Sequence, residues 1–210
     1  MDKNLRATLE NHVTLCKEKL ESHKFKVDVV ENGSECLTLV DELIQDGEVV
    51  SVGGSMTLFE MGIIDYLEQN NRITYLDRYH AEDAFEIFHQ ALTCDTYLMS
   101  SNAITMDGQL YNVDGNGNRV AALTFGPDRV LVIVGWNKIV KDIPSAIERV
   151  EQIAAPANCV RLNKSTPCVT LGHCVDCAHH QRICGSKVIT TESHLRERIH
   201  VIIVKEDFGY

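Results

Sequence analysis

Three places in the sequence hold residues of the types and spacings that do chemistry. The first is Val49-Val50-Ser51-Val52-Gly53-Gly54-Ser55-Met56-Thr57, where an apolar run passes directly into a helix start. Such a junction presents unpaired backbone N–H groups at the positive end of a helix dipole, which suits a phosphate or carboxylate. Gly53 and Gly54 let a backbone approach an anion, Ser55 and Thr57 add hydroxyls, and Glu60 is a candidate catalytic carboxylate on the same helix. The turn has neither the spacing of a dinucleotide fingerprint nor a P-loop lysine. A tight turn capped by Ser55, with Glu60 as an ordinary first-turn glutamate, accounts for the same residues.

The second place gathers Ser101, Asn102, Thr105, Asp107, Asp114, Asn116, Asn118 and Arg119 just past the apolar run Thr96 to Met99. In open α/β sheets ligands sit outside the carboxyl ends of strands. Arg119 offers a planar fork for a carboxylate or phosphate. Asp107-Gly108 reads equally well as a hairpin turn. The third place is Cys168-x5-Cys174-x2-Cys177-x6-Cys184, four thiols in one loop. Four thiolates meet the needs of zinc or of an iron–sulfur cluster, and His173, His179 and His180 stand close enough in sequence to assist. The spacing is neither that of a zinc ribbon nor that of a bacterial ferredoxin. A redox-active Cys174–Cys177 pair or four plain reduced cysteines fit it too. Cys16, Cys36, Cys94 and Cys159 read as core residues.

Regular elements must hold these residues. Leu5, Leu9, Val13, Cys16 and Leu20 form the stripe of an amphipathic helix. Strands are predicted at Phe25–Val30, Glu48–Val52, Ile73–Leu76, Thr96–Met99 and Val130–Val134. Helices are predicted from a Ser34 cap through Leu43, from the Gly53 turn to about Gln69, over Ala84–Leu92 and from Pro144 to about Ala154. Ile104 to Tyr111 is a hairpin, and Lys187–Ile189 and Ile199–Val204 return to the sheet. This alternation predicts an α/β fold, a mostly parallel sheet with helices on both faces, carrying a hairpin insertion and a Cys-rich loop over 168–184. One domain over 1–210 is expected.

Gly53-Gly54-Ser55-Met56-Thr57-Leu58-Phe59-Glu60-Met61-Gly62, Ser100-Ser101-Asn102-Ala103-Ile104-Thr105-Met106-Asp107-Gly108 and Asp114-Gly115-Asn116-Gly117-Asn118-Arg119-Val120 resemble the LUD (lactate utilization) domain family in order and spacing. Asn137-Lys138-Ile139-Val140 and Arg198-Ile199-His200-Val201 extend the likeness over essentially the whole chain. The resemblance implies the fold of ribose-5-phosphate isomerase, glucosamine-6-phosphate deaminase and CoA transferases. It also implies an accessory role beside iron–sulfur oxidoreductase subunits in oxidising L-lactate or a similar organic acid. Larger members append a ferredoxin-like domain, so a self-sufficient lactate dehydrogenase is not expected.

The expected site lies between the Gly53–Ser55 turn and the Asn102–Arg119 segment, with Arg119 clamping a small anion: an organic acid, a sugar phosphate or a CoA ester. The competing readings are a stand-alone sugar-phosphate or acyl-CoA enzyme built on Glu60, and a metal or iron–sulfur electron-transfer module built on the cysteines. Charge excludes other classes. Thirty acidic against 20 basic residues leave −10 at pH 7, the wrong sign for a nucleic-acid or anionic-membrane reader. No apolar run approaches the ~20 residues that span a bilayer, and the first residues are no secretory signal. A cytoplasmic protein with reduced thiols is expected, and apolar helix faces would support a homodimer.

Overall fold

The computed structural model describes residues 1–210. From the N-terminus, helices and strands alternate as α1 (Lys3–Ser22), β1 (Lys26–Val30), α2 (Gly33–Leu43), β2 (Val49–Val52), α3 (Met56–Glu60), α4 (Ile63–Gln69), β3 (Thr74–Leu76), α5 (Ala84–Gln90) and β4 (Thr96–Met99). A hairpin of β5 (Ala103–Thr105) and β6 (Leu110–Asp114) follows, then α6 (Asn118–Thr124), β7 (Arg129–Gly135) and the short β8 (Ile139–Val140). Helices α7 (Ile143–Arg149), α8 (Ala155–Arg161) and α9 (Pro167–Leu171) lead through the Cys-rich loop to β9 (Ser186–Thr190) and β10 (Ile199–Val204). No helix is long and apolar enough to cross a membrane.

Six strands form one sheet in the order β1-β10-β7-β4-β2-β3, parallel at every pairing. Successive side chains of a strand point to opposite faces, and β7 shows how both faces are filled. Val130, Val132 and Val134 pack with Val13, Cys16 and Leu20 of α1. Leu131 and Ile133 pack on the other face with Cys36 and Val40 of α2 and Leu58, Ile63 and Leu67 of α3 and α4. A strand buried on both sides must be apolar throughout, which is why Val130 to Val134 reads as an unbroken run.

The second sheet, β8-β5-β6-β9, is smaller. It corrects the expectation that Lys187–Ile189 rejoins the main sheet. β9 instead pairs antiparallel with β6, and its side chains alternate between half-buried and exposed, as an edge strand's do. The β5–β6 turn packs onto α1: Gly108 has φ +77°, and a Cβ there would lie 2.6 Å from the carbonyl carbon of Lys19. Both strain and collision oppose any side chain, so Gly108→Ala is expected to lower unfolding free energy by about 2–4 kcal/mol. Urea denaturation measures this, and a loss below ~1 kcal/mol would show that the turn lifts freely off the helix.

Local details differ from expectation for identifiable reasons. The helix predicted to run from the Gly53 turn to Gln69 breaks where Gly62 takes φ +71°. The cap of α2 is Asn32, whose side chain accepts the Glu35 N–H, and Ser34 is merely exposed in the first turn. The helix predicted to end near Ala154 runs on through a π-helical stretch, Val150–Ala154, into α8. That wider turn precedes Pro156, which has no N–H to contribute.

Candidate functional site

In the strand order just given, β2 connects outward to the edge strand β3, whereas the chain leaving β4 goes on toward β7. Loops leaving adjacent strands in opposite directions open a crevice at their carboxyl ends. A cavity of about 550 Å³ fills that crevice, with Gly54 and Ser55 after β2 and Ser100, Ser101 and Asn102 after β4 in its wall. The same wall takes Asn116, Asn118 and Arg119 from the β6–α6 corner. The structure therefore brings together the two segments that sequence reasoning placed at the site. Its size is in the range that holds ligands larger than a three-carbon acid, roughly 300–1,000 Å³.

Arg119 is not the free clamp that its sequence context suggested. One terminal nitrogen donates to Ser100 O (3.0 Å) and Asn112 Oδ1 (2.5 Å), the other to Asn102 Oδ1 (2.8 Å) and Val113 O (2.8 Å). Its Nε faces the Asp114 carboxylate at 3.4 Å. With four of its five N–H groups hydrogen-bonded and the fifth facing a carboxylate, this buried guanidinium ties β4, β6 and α6 together behind the cavity. Gly53 makes room for it, since a Cβ there would lie 3.0 Å from Arg119 Cγ and Cδ.

Lys138, in the turn after β7, also lines the cavity and is only 3% exposed. Its Nζ donates to Thr57 Oγ1 (2.7 Å) and Ser100 Oγ (3.0 Å). Both hydroxyls donate onward, Thr57 to Phe208 O and Ser100 to Ser101 O. Burial, with the Arg149 and Arg119 guanidiniums nearby and Glu60 opposing them, pulls the amine down to about 7. Arg149 is itself partly buried against backbone carbonyls of Asn102 and Asn137.

Around the mouth stand cations that sequence reasoning did not single out. Arg78, Arg161, Lys164 and Arg182 line the cavity with Arg119 and Lys138, whereas Asp114 is the one acidic side chain in its wall. In a chain of charge −10, this is a local reversal of sign. Arg78 has neither hydrogen bond nor ion pair. Its guanidinium carbon lies 4.5 Å from the Phe88 ring centroid and 5.5 Å from that of Tyr79, which hold it beside Gly54.

Several candidates fall outside the cavity. Thr105 is fully buried in the hairpin, where its Oγ1 accepts the Gln109 N–H. Asp107 is exposed at the hairpin tip. Both are carried away from the strand end by β5, which their closeness in sequence to Asn102 concealed. Ser101 lines the cavity, but its hydroxyl is spent on the carbonyls of Ala103 and Tyr111. Ser55 caps α3 by accepting the Leu58 N–H, and Thr57 reaches the cavity only through Lys138. Glu60 is exposed and accepts the Gly209 N–H at 2.6 Å, so it anchors the C-terminal tail.

The cysteines do not converge. Cys168 lies buried on α9, 3.2 Å from Thr166 Oγ1 and beside Cys159. Cys174 accepts the Asp176 N–H, while Arg182 donates to the carbonyls of Cys177 and Cys184. The one group of three metal-ligating side chains with donor atoms within 4.8 Å of each other is Glu68, Asp77 and His80 at the surface beyond β3. Cys168, Cys174, Cys177 and Cys184 as placed do not fit a tetrahedral zinc or a cluster. What the loop does supply is a wall: His180, Gln181, Arg182 and Ile183, between Cys177 and Cys184, line the cavity.

Comparison with known proteins adds two findings. A family model for the LUD domain matches residues 13–204. The crystal structure of a DUF162 family protein from Deinococcus radiodurans is similar with a TM-score of 0.53 at 13% identity, over 93% of this chain and 98% of that one. At that identity the likeness concerns the fold. No curated protein matches the chain.

Proposed function

Because the chain belongs to the LUD domain family, we propose that it serves the family's organic-acid chemistry by binding a small ligand with more than one anionic group. A phosphorylated or otherwise dianionic metabolite suits the site better than lactate alone. The observation that carries this reading is Arg78, a guanidinium stacked on two aromatic rings at the cavity mouth with no acid to pair with. Arg161 and Lys164 extend the positive surface beside it, and the buried Arg119 forms its floor. Positive charge this concentrated and this poorly compensated is costly in isolation and is relieved by an anion. In this role the chain is an accessory subunit, and iron–sulfur oxidoreductase subunits remain its proposed partners.

Isothermal titration with pyrophosphate, lactate and pyruvate tests the reading. Pyrophosphate is expected to bind saturably and to weaken as salt is raised. Arg78→Gln is expected to weaken it about tenfold or more while changing unfolding free energy by less than ~1 kcal/mol, since the side chain makes only ring contacts. Absence of saturable binding by all three anions would sink the proposal.

A further inference from the structure

We propose that the ε-amine of Lys138 captures the carbonyl carbon of an anionic aldehyde or ketone as a reversible imine within the cavity. This rests on the cavity being the anion site, and it adds a reaction and a substrate class to that site: a carbonyl compound bearing a phosphate or carboxylate.

The placement of the amine carries the inference. A buried lysine that serves architecture is normally met by a carboxylate, yet Nζ of Lys138 meets only the hydroxyls of Thr57 and Ser100. Those hydroxyls have already given their protons to the carbonyls of Phe208 and Ser101. They therefore accept from the amine. A neutral amine has two N–H groups, and both are then engaged, so its lone pair is left without a partner. The charged groups near it are Arg149, Arg119 and Glu60. The two guanidiniums disfavour an ammonium, and the exposed Glu60 is committed to the Gly209 N–H. On one side the tail closes over the amine, where a Cβ on Gly209 would lie 3.3 Å from Nζ and 2.6 Å from Thr57 Oγ1. On another side lies the cavity.

The step balances without an oxidant. The lone pair of Nζ attacks the carbonyl carbon, a C–N bond forms, and the C=O π pair moves to oxygen. A proton passes from nitrogen to that oxygen to give the carbinolamine. Loss of water then forms the C=N bond. Activation of a lysine by desolvation and neighbouring cations is a known route to imine-forming amines.

The probe is pyridoxal 5′-phosphate, an aldehyde carrying a phosphate, followed by sodium borohydride and peptide mapping of the intact wild-type chain. The expected result is a reduced adduct on Lys138 that saturates, is suppressed by excess pyrophosphate, and forms at least about tenfold more slowly with unphosphorylated pyridoxal. Its rate should rise with pH around 7, whereas exposed lysines react increasingly toward pH ~10. Lys138→Met removes the nucleophile and should show no such pH-7 phase. Saturable pyrophosphate binding with adducts confined to exposed lysines would overturn the imine and leave the anion site standing. Absence of pyrophosphate binding together with no Lys138 adduct would overturn both.

Discussion

Arg119→Met is expected to lower the free energy of unfolding by about 3–5 kcal/mol, the largest loss from any single cavity residue. The side chain is about the right length and apolar, so little volume is lost. The cost comes from what remains. The oxygens of Asn112, Asn102, Ser100 and Val113 each lose a donor, and the Asp114 carboxylate loses the guanidinium beside it. Asn112 is fully buried and Ser100 nearly so, and water reaches neither without distortion. Urea unfolding of Arg119→Met beside Arg78→Gln separates architecture from recognition. The first should shift the midpoint strongly, and the second should shift only ligand affinity. A loss under ~1 kcal/mol for Arg119→Met would mean that the corner between β4 and α6 holds without it.

Lys138→Met should have the opposite sign and stabilise the unliganded protein by about 2–3 kcal/mol at pH 7. The folded amine sits near 7 against 10.5 for the free group. Between these values the unfolded chain holds a proton that the folded chain has released, so wild-type stability rises with pH from about 7 upward. The contribution approaches ~1.4 kcal/mol per pH unit. Below about 7 both states are protonated and the penalty is constant. The window closes near pH 9, where thiols ionise in the unfolded chain while burial holds those of Cys16, Cys36 and Cys94 up at about 12. Stability measured from pH 7 to 8.5 should climb in the wild type and stay nearly flat in Lys138→Met. Parallel slopes would show that Lys138 is an ordinary charged lysine. The substitution should also abolish the pyridoxal 5′-phosphate adduct, so the more stable protein would be the inactive one, as expected where function needs a destabilised group.

The parallel sheet and its two helical layers were readable because burial on both faces demands continuous apolar strands such as Val130 to Val134. The crevice was readable for the same reason: Gly53–Ser55 and Ser100–Asn102 each follow such a strand. What escaped was non-local. Arg78 has no local signature, lying two residues past the three-residue β3. Only the strand order places β3 beside β2 and so puts Arg78 at the mouth. Arg119 was found by its chemistry but given the wrong task, because its partners lie on β6 and beyond β4. Helix α6 was hidden in a run rich in Gly and Asn, where Gly117 at φ +84° turns the chain into it. Thr105 and Asp107 show the reverse error: nearness in sequence undone by a hairpin.

The position of β10 between β1 and β7 governs how the chain can reach this structure. β1 pairs only with β10, Lys26 opposite His200, so the first strand has no neighbour until nearly the whole chain is available. Until β10 is in place, β1 has no sheet neighbour and β7 has an open edge. Contacts this distant in sequence make for slow folding and prolonged exposure of apolar edges. The vulnerable moment for this protein on the ribosome is therefore the interval before its last strand slides between its first strand and its central one.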